Sequence, residues 1–339
     1  MLSKKKLKIV TSFTAIVLIF FIWDSYRYMQ SAMNLPDDGL QYLFSKGSSA
    51  SKLVNDLHKK NIINEPLYFK IWGKLSGKTK KLHAGEYVFE KGLTPFQLLA
   101  KMSAGDVKLY AFTIIEGWSF KQLLSAINTD KNLVHKIETK NYSVLMSKLG
   151  FEGEHPEGRF YPDTYRYPAG TTDIQFLKRA YEQMSSHLDN EWNNRAKGLP
   201  LKNKYEALIL ASIVEKESAA PAERPVIAGV FVNRLIKNMR LQTDPTVIYG
   251  LGDKYKGDIR FRHLRDDTPY NTYTRKGLPP TPIAMPGLGA IKAALNPDPT
   301  DYLYFVATGE DGKHYFSSTN AEHQRAVTKY QRYKRKKKK

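Results

Sequence analysis

The chain begins with a lysine-rich segment, which is followed by a long apolar one. Residues 9–23, IVTSFTAIVLIFFIW, are apolar apart from small hydroxyl side chains, and four lysines lie within residues 4–8. About 20 apolar residues cross a ~30 Å bilayer core, and Leu7 together with a snorkelling Lys8 lengthens this run toward that size. The pattern predicts a membrane-targeting helix.

This segment could be a cleaved signal peptide or an uncleaved anchor. Signal peptidase requires small residues in an A-x-A-like arrangement, but residues 24–33, DSYRYMQSAM, have Gln30 where the first small residue should stand. We therefore predict an uncleaved single-pass anchor over residues 1–24, followed by a linker over 25–39. By the positive-inside rule, the N-terminal lysines lie in the cytoplasm and the rest of the chain lies outside it.

Residues 40–106 alternate between short strand patterns and amphipathic helix patterns. The predicted elements are a strand at 40–44, a helix from Ser49 to about Lys60, a helix over 66–75, a strand at 85–89 and a helix from Thr94 to about Ser103. This order resembles the LysM-like portion that precedes some cell-wall enzymes. A spacer domain that lifts the rest of the chain off the membrane is the alternative.

A second, larger body is predicted over residues 107–328. It begins with a strand at 107–115, and Ser119 with Gln122 forms a capping box for the next helix. A long amphipathic helix follows over 173–197. The segment 205–219 is apolar around nearly its whole circumference and should therefore be a buried helix. The fold class expected for the chain is α+β, with a transmembrane helix, a small LysM-like module and a larger mixed α/β domain.

Two glutamates end the predicted buried helix. Glu215 and Glu217 lie two positions apart, about 200° around a helix of 3.6 residues per turn, so at most one of them faces a given cleft. Partial burial and the negative end of the helix dipole both raise the pKa of a carboxyl there. Such a group suits general-acid catalysis, although glutamates near helix ends are usually surface residues.

The loops after this helix are rich in polar side chains and prolines. Residues 240–246, 270–273, 277–280 and 283–287 contain Gln, Asn, Thr, Asp and Tyr side chains. A sugar chain requires hydrogen-bonding partners for its hydroxyls and flat aromatic faces for its rings. These loops either line a sugar cleft or are plain structural turns.

Composition and charge exclude several classes of protein. The chain has 339 residues, 42% hydrophobic and 25% charged, which indicates a globular protein. Of its net charge of +20, twelve charges lie within residues 4–8 and 329–339, so the body is only mildly basic and nucleic acid is not the expected partner. The basic tail, 329–339, is interpreted as a solvated helix end, with anionic lipid or an acidic wall polymer as the alternative contact.

Several residue types and motifs that would indicate a particular kind of active site do not occur in the sequence. The chain has no cysteine, which is compatible with export. Its eight histidines show no metal-ligand spacing, and no G-x-S-x-G, Walker or dinucleotide motif occurs. We expect neither a metal site nor a cofactor.

Six blocks of sequence together resemble one known family. They are Ala211–Glu217 (ASIVEKE), Arg240–Gly250 (RLQTDPTVIYG), Tyr270–Tyr273 (YNTY), Gly277–Pro280 (GLPP), Tyr302–Val306 (YLYFV) and Glu157–Tyr165 (EGRFYPDTY). The last is similar to an EG-x-x-x-PDTY block. The first five, in this order along the chain, resemble the endolytic murein transglycosylases, the YceG-like family, and the Glu157–Tyr165 block, which precedes them, is similar to a block of the same family. The resemblance covers nearly the whole chain beyond the linker.

The resemblance implies an enzyme that cleaves nascent peptidoglycan strands between MurNAc and GlcNAc without water. The product end would be 1,6-anhydroMurNAc, and a single carboxyl suffices for the reaction. Lytic transglycosylases typically place the catalytic glutamate directly before Ser or Thr, which selects Glu217, before Ser218, over Glu215.

The other site residues expected from the resemblance fall into two groups. Those expected to line the sugar cleft are Gln242, Asp244, Tyr270, Asn271 and Tyr273. Those expected to support the site are Glu215, Glu157 and Asp163, the last two by holding an aromatic loop. The expected partners are glycan strands, the bacterial inner membrane and glycan-polymerising synthases, with the catalytic domain in the periplasm.

Two other functions remain open from the sequence. A muramidase-type hydrolase would need a second carboxylate, for which Asp244 is the candidate. A non-catalytic peptidoglycan-binding scaffold would use only the LysM-like module.

Overall fold

The computed structural model describes residues 4–139, 141–218, 220–309 and 312–337. Parts of three sequence predictions lie outside these residues. They are residues 1–3 of the predicted cytoplasmic end, Ala219 at the end of the predicted buried helix, and residues 338–339 of the predicted tail.

The N-terminal helix, α1, runs from Lys4 to Gln30. Within the described residues, it is the one helix long and apolar enough to cross a membrane, over Lys8–Gln30. The linker predicted from residue 25 is therefore wrong in its first part, because residues 25–30 continue the helix. Met29, Met33 and Leu35 are buried, so apolar packing orders a stretch whose polar composition indicated a free connection.

The described residues divide into two compact units. The first lies within Met1–Ala111 and Arg166–Gly170, and the second within Phe112–Tyr165 and Thr171–Lys339. The division near residue 111 comes shortly after the predicted boundary between 106 and 107.

The first unit combines two strands with three helices beside α1. Its elements are β1 (Leu40–Phe44), α2 (Ala50–Lys59), α3 (Pro66–Leu75), β2 (Gly85–Phe89) and α4 (Pro95–Ala104). The strands pair antiparallel, with Leu40 opposite Phe89. The Ser49 side chain accepts a hydrogen bond from Lys52 N, and Thr94 forms a capping box with Gln97, so local side chains fix where the helices begin. The predicted positions of these elements are confirmed.

The rest of the chain is mainly helical. Its strands are β3 (Leu109–Thr113), β4 (Thr164–Pro168), β5 (Tyr304–Ala307) and β6 (His314–Ser317). Its helices are α5 (Phe120–Thr129), α6 (Tyr142–Leu149), α7 (Asp173–Asn193), α8 (Lys204–Glu217), α9 (Arg224–Ile236), α10 (Asp244–Leu251), α11 (Phe261–Arg265), α12 (Leu288–Leu295) and α13 (Asn320–Lys337). β3 pairs with β4, and β5 pairs with β6. The overall α+β class is confirmed.

Helix α8 lies at the centre of the second unit. Every residue from Ala207 to Val214 is buried, and α8 packs against α7, α9, α10 and α12. The Asn203 side chain caps its first turn by accepting a hydrogen bond from Glu206 N. A helix that is apolar on all sides needs neighbours on all sides, and here the charged residues of α8 lie in its first and last turns.

Two elements differ from the sequence predictions. Helix α7 ends at Asn193 rather than near Lys197. Asp244–Leu251 is helix α10 rather than loop, because Pro245 favours a helix start and apolar residues follow it. The basic tail, which was predicted to be a helix end, continues α13 as far as Lys337 in the described residues.

Candidate active site

Glu217 is the last residue of α8, where the buried helix reaches a cavity. The cavity has a volume of about 540 Å³. The Glu217 side chain is half-buried, and the Thr243 hydroxyl donates a hydrogen bond to its Oε1. Burial raises the pKa of Glu217, and the negative charge of Asp244 acts in the same direction. The hydrogen bond from Thr243 lowers that pKa, but burial is the larger effect. The arrangement favours the protonated form of a carboxyl that lines the cavity.

Three of the five residues predicted to bind sugar line the same cavity as Glu217: Gln242, Asp244 and Tyr273. The Tyr273 hydroxyl donates to Asp244 Oδ1 over 2.6 Å. Asp244 therefore has a partner of its own, and its carboxylate is oriented toward Tyr273.

Gln242 has an unusual backbone conformation. Its φ is +49°, in the left-handed region that non-glycine residues seldom adopt. Its backbone N donates to Thr272 O over 3.1 Å. Such strain persists only where surrounding structure holds it, and it is common at functional sites. Here it turns the chain between Leu241, which is fully buried, and Thr243.

Tyr270 and Asn271 are not among the residues that line the cavity. Asn271 is fully buried, and its amide donates to the carbonyls of His263 and Asp266. Its Oδ1 accepts a hydrogen bond from Tyr273 N over 2.9 Å. Tyr270 shares a hydrogen bond of 2.9 Å with the Thr281 hydroxyl. Both residues hold the loop that carries Tyr273 rather than presenting polar groups to the cavity.

Glu215 makes different contacts from Glu217. Its Oε1 accepts from Arg224 Nη2 over 2.8 Å, and its Oε2 accepts from Gly287 N over 3.0 Å. The Glu215 side chain is only 5% exposed. Burial raises its pKa, whereas the Gly287 hydrogen bond and the Arg224 charge lower it. With both oxygens engaged, Glu215 connects α8 to α9 and to the start of α12.

Glu157 and Asp163 also lie outside the residues that line the cavity. Glu157 is buried, and its two oxygens accept from Phe120 N and from the Tyr249 hydroxyl, each over 2.9 Å. Burial raises the pKa of Glu157 to about 7. Asp163 is exposed and accepts a hydrogen bond from Gln183 over 3.0 Å.

The sequence predictions missed six polar residues of the cavity wall: Arg234, Tyr304, His314, Asn320, His323 and Gln324. Arg234 is buried, donates to the carbonyls of Leu303 and Leu241, and lies 5.2 Å from the Tyr304 ring centroid. A single arginine within the apolar run of α9 could have been noticed, as the glutamates of α8 were. His314 pairs with Glu223, 91 residues away, and no local pattern indicates that contact.

The described residues contain no group of three His, Cys, Asp or Glu side chains placed to hold a metal ion. Among the side chains that line the cavity, Glu217 can donate and accept a proton. Around that carboxyl stand a cation, Arg234, two phenol hydroxyls and an amide that can bind a polar substrate.

Comparison with known proteins gives a consistent result. Residues 43–329 match the sequence model of the YceG-like family. A Bacillus subtilis (strain 168) protein named endolytic murein transglycosylase is 34% identical over 306 residues, which cover 84% of this chain and 82% of the relative.

A Streptococcus pneumoniae (serotype 2, strain D39) protein of the same name is 27% identical over 342 residues. The match covers 90% of this chain but only 61% of that protein. The crystal structure of a yceG-like protein from Listeria monocytogenes, 29% identical, superposes with a TM-score of 0.52 over 86% of this chain and 99% of that one.

Proposed function

This chain belongs to the YceG-like family, and from that premise we propose that it is a peptidoglycan lytic transglycosylase. It cleaves nascent glycan strands between MurNAc and GlcNAc, leaves a 1,6-anhydroMurNAc end and so terminates strand elongation. The single observation that carries the proposal is the half-buried Glu217 carboxyl, with its raised pKa, on the wall of the cavity.

The reaction needs one carboxyl used twice. Protonated Glu217 donates its proton to the glycosidic oxygen, and the bond from that oxygen to the anomeric carbon of MurNAc breaks. The resulting carboxylate takes the proton from the 6-hydroxyl of the same MurNAc as that oxygen bonds to the anomeric carbon. Glu217 ends the reaction protonated again, and no water is consumed. A raised pKa favours the protonated form that acts as the acid in the first step, and the carboxylate that this step leaves acts as the base in the second.

The residues around Glu217 have distinct proposed roles. Gln242, Asp244 and Tyr273 bind sugar hydroxyls, and Arg234 with Tyr304 adds a cation and an aromatic ring to the cavity wall. Glu215 supports the site through its ion pair with Arg224. Glu157 and Asp163 act at a distance, by holding the segment Glu157–Tyr165. Tyr270 and Asn271 act through the loop that carries Tyr273.

The remaining parts of the chain fit exported wall metabolism. We propose that α1 anchors the protein in the bacterial inner membrane with its N-terminus in the cytoplasm and its catalytic unit in the periplasm. The first unit is proposed to be a LysM-like module, and glycan-polymerising synthases are the proposed neighbours.

Product analysis of two neighbouring variants tests the proposal. Purified peptidoglycan is digested with wild type, Glu217→Gln and Glu215→Gln, and the fragments are analysed by mass spectrometry. Glu217→Gln is nearly isosteric but cannot donate a carboxyl proton, so anhydro ends should fall by about 10²- to 10⁴-fold. Glu215→Gln, if thermal unfolding shows it to be folded, should still form them.

Three results would overturn the proposal. Reducing ends in place of anhydro ends would indicate a hydrolase that uses Asp244 as its second carboxylate. Unchanged formation of anhydro ends by Glu217→Gln would show that Glu217 is not the acid. A wild type that releases no fragments would leave only the wall-binding scaffold.

A further inference from the structure

The end of the apolar run in α1 marks where the helix leaves the proposed bilayer. Trp23 closes that run, and Asp24 and Arg27 are the first charged residues after Lys8. The Arg27 guanidinium lies 5.1 Å from the centroid of the Trp23 ring. Tryptophan beside charged residues is typical of the membrane–water interface. Residues 23–27 therefore define the headgroup level on α1.

Helix α3 contacts α1 at that level. The Tyr68 hydroxyl donates to Asp24 Oδ2 over 3.0 Å, and Trp72 Nε1 donates to Ser25 Oγ over 3.1 Å. The Tyr68 ring meets Phe21 edge-on, with 5.3 Å between the ring centroids. Because Phe21 lies inside the apolar run, these contacts hold α3 at the depth of the lipid headgroups.

The two sides of α3 have different character. Phe69 and Gly73 are buried against the core of the first unit. At 3.6 residues per turn, Leu67, Lys74 and Leu75 point away from that side. Leu67 is 57% exposed and Leu75 is 72% exposed. Exposed leucines beside lysines on one helical face are the pattern of a helix that lies in a membrane interface.

The segment that contains α3 is also strongly basic. Between residues 66 and 85 there are five lysines and no aspartate or glutamate. In the described part of the chain, none of Lys74, Lys78, Lys80 and Lys81 belongs to an ion pair within 4.0 Å. The negative potential of an anionic membrane surface attracts nearby lysines. These side chains are available to lipid phosphates.

We infer that this face of α3, together with the basic turn that follows it, lies in the headgroup layer of the bilayer. Leu67 and Leu75 reach the acyl boundary, and the lysines contact anionic lipid phosphates. The inference rests on the proposed membrane anchor. An anionic wall polymer would satisfy the lysines but would leave both leucines in water, which favours the bilayer. The first unit is then held against the membrane instead of moving on a flexible linker.

Single-cysteine labelling tests this contact, because the natural chain has no cysteine. Leu75→Cys and Leu67→Cys are labelled with an environment-sensitive fluorophore in the full chain. The proteins are reconstituted in vesicles of equal parts phosphatidylcholine and phosphatidylglycerol, with spin-labelled lipids as quenchers. Leu43→Cys, 63% exposed on β1, is the matched control, and Ile16→Cys, 65% exposed on α1, reports insertion of the anchor.

We expect blue-shifted, lipid-quenched emission at positions 67 and 75 and unquenched emission at position 43. Replacing Lys74, Lys78 and Lys80 by Gln should reduce the quenching at position 75, whereas replacing Lys46 and Lys52 by Gln should leave it unchanged. Quenching at position 16 without quenching at 75, or equal quenching at 43 and 75, would overturn the inference while the anchor stands. An unquenched label at position 16 would contradict both the proposed membrane anchor and this inference.

Discussion

The Thr243 hydroxyl donates a hydrogen bond to Glu217, although Thr243 stands at the N-cap of α10, where a side-chain oxygen usually accepts from the helix backbone. The Thr243 backbone is fixed instead by its neighbours: its N donates to Thr272 Oγ1 over 3.1 Å, and its O accepts from Thr246 Oγ1 over 2.8 Å. The side chain is thus free to orient the proposed acid. Thr243 is a positioning residue for Glu217.

Removing this hydroxyl should change the pH dependence of the reaction. The hydrogen bond lowers the pKa of Glu217, so Thr243→Val should raise that pKa further. Because the alkaline limb of kcat/KM reports the pKa of the general acid, that limb should move to higher pH. Thr243→Ser keeps the hydroxyl and should follow wild type; a Val variant that is slower but has an unmoved limb would contradict a role through Glu217.

Asp244→Asn should have the opposite effect on the same limb. The Asp244 charge raises the pKa of Glu217, so its removal lets Glu217 lose its proton at lower pH. Activity should fall as Tyr273 loses its carboxylate partner, but the products should keep their anhydro ends. Mass spectrometry of the fragments together with a kcat/KM pH profile measures both effects. Complete loss of activity in a folded Asp244→Asn variant would instead support Asp244 as a second catalytic carboxylate.

The ion pair between Arg224 and Glu215 should matter for stability because both partners are largely buried, with side-chain exposures of 13% and 5%. Arg224→Met would leave the Glu215 carboxylate buried without its cation, at a cost of about 3–5 kcal/mol in the free energy of unfolding. Adding Glu215→Gln removes the charge, so the double variant should be more stable than Arg224→Met alone. Urea unfolding of the four proteins gives the coupling energy directly. Additive effects would show that the pair is not coupled.

The free energy of unfolding should fall as pH rises because of the buried Glu157 carboxyl. Its pKa is raised from an ordinary 4.5 to about 7 by burial, so between those values the folded state keeps a proton that the unfolded chain has lost. The stabilisation is complete below the unfolded pKa and is lost as pH approaches the folded pKa. It amounts to about 3 kcal/mol.

The check is urea unfolding at about pH 5 and about pH 8. Wild type should lose about 3 kcal/mol more than Glu157→Gln between the two conditions. Asp163→Asn, which changes an exposed carboxylate of the same segment, should behave like wild type. If wild type and Glu157→Gln lose the same free energy, Glu157 is already ionised in the folded protein.

Features that depend on neighbours in the chain could be predicted from the sequence. Ser49 and Thr94 as helix starts and the capping pair Ser119 with Gln122 were identified from the sequence, and the structure has each of them. These interactions span three residues, so the sequence contains both partners and their geometry.

The position of Glu217 could be predicted only in part. The apolar character of α8 indicated burial and the two-residue spacing indicated that Glu215 and Glu217 diverge. Glu217 faces the cavity and Glu215 contacts Arg224. This difference depends on where α9 and the loop at Thr243 pack around α8. Likewise, Tyr273 lines the cavity and Asn271 does not, although the polar pattern of the loop treated them alike.

Residue types and periodicity in the sequence were enough to establish the apolar N-terminal helix, the α+β class and the buried helix that ends in two glutamates. Only the folded chain brings together groups such as Glu217 with Thr243 and His314 with Glu223, which are 26 and 91 residues apart. Sequence patterns relate residues that are about one helical turn apart. Contacts between distant residues depend on how separate elements pack, and that packing involves side chains from all of these elements at once.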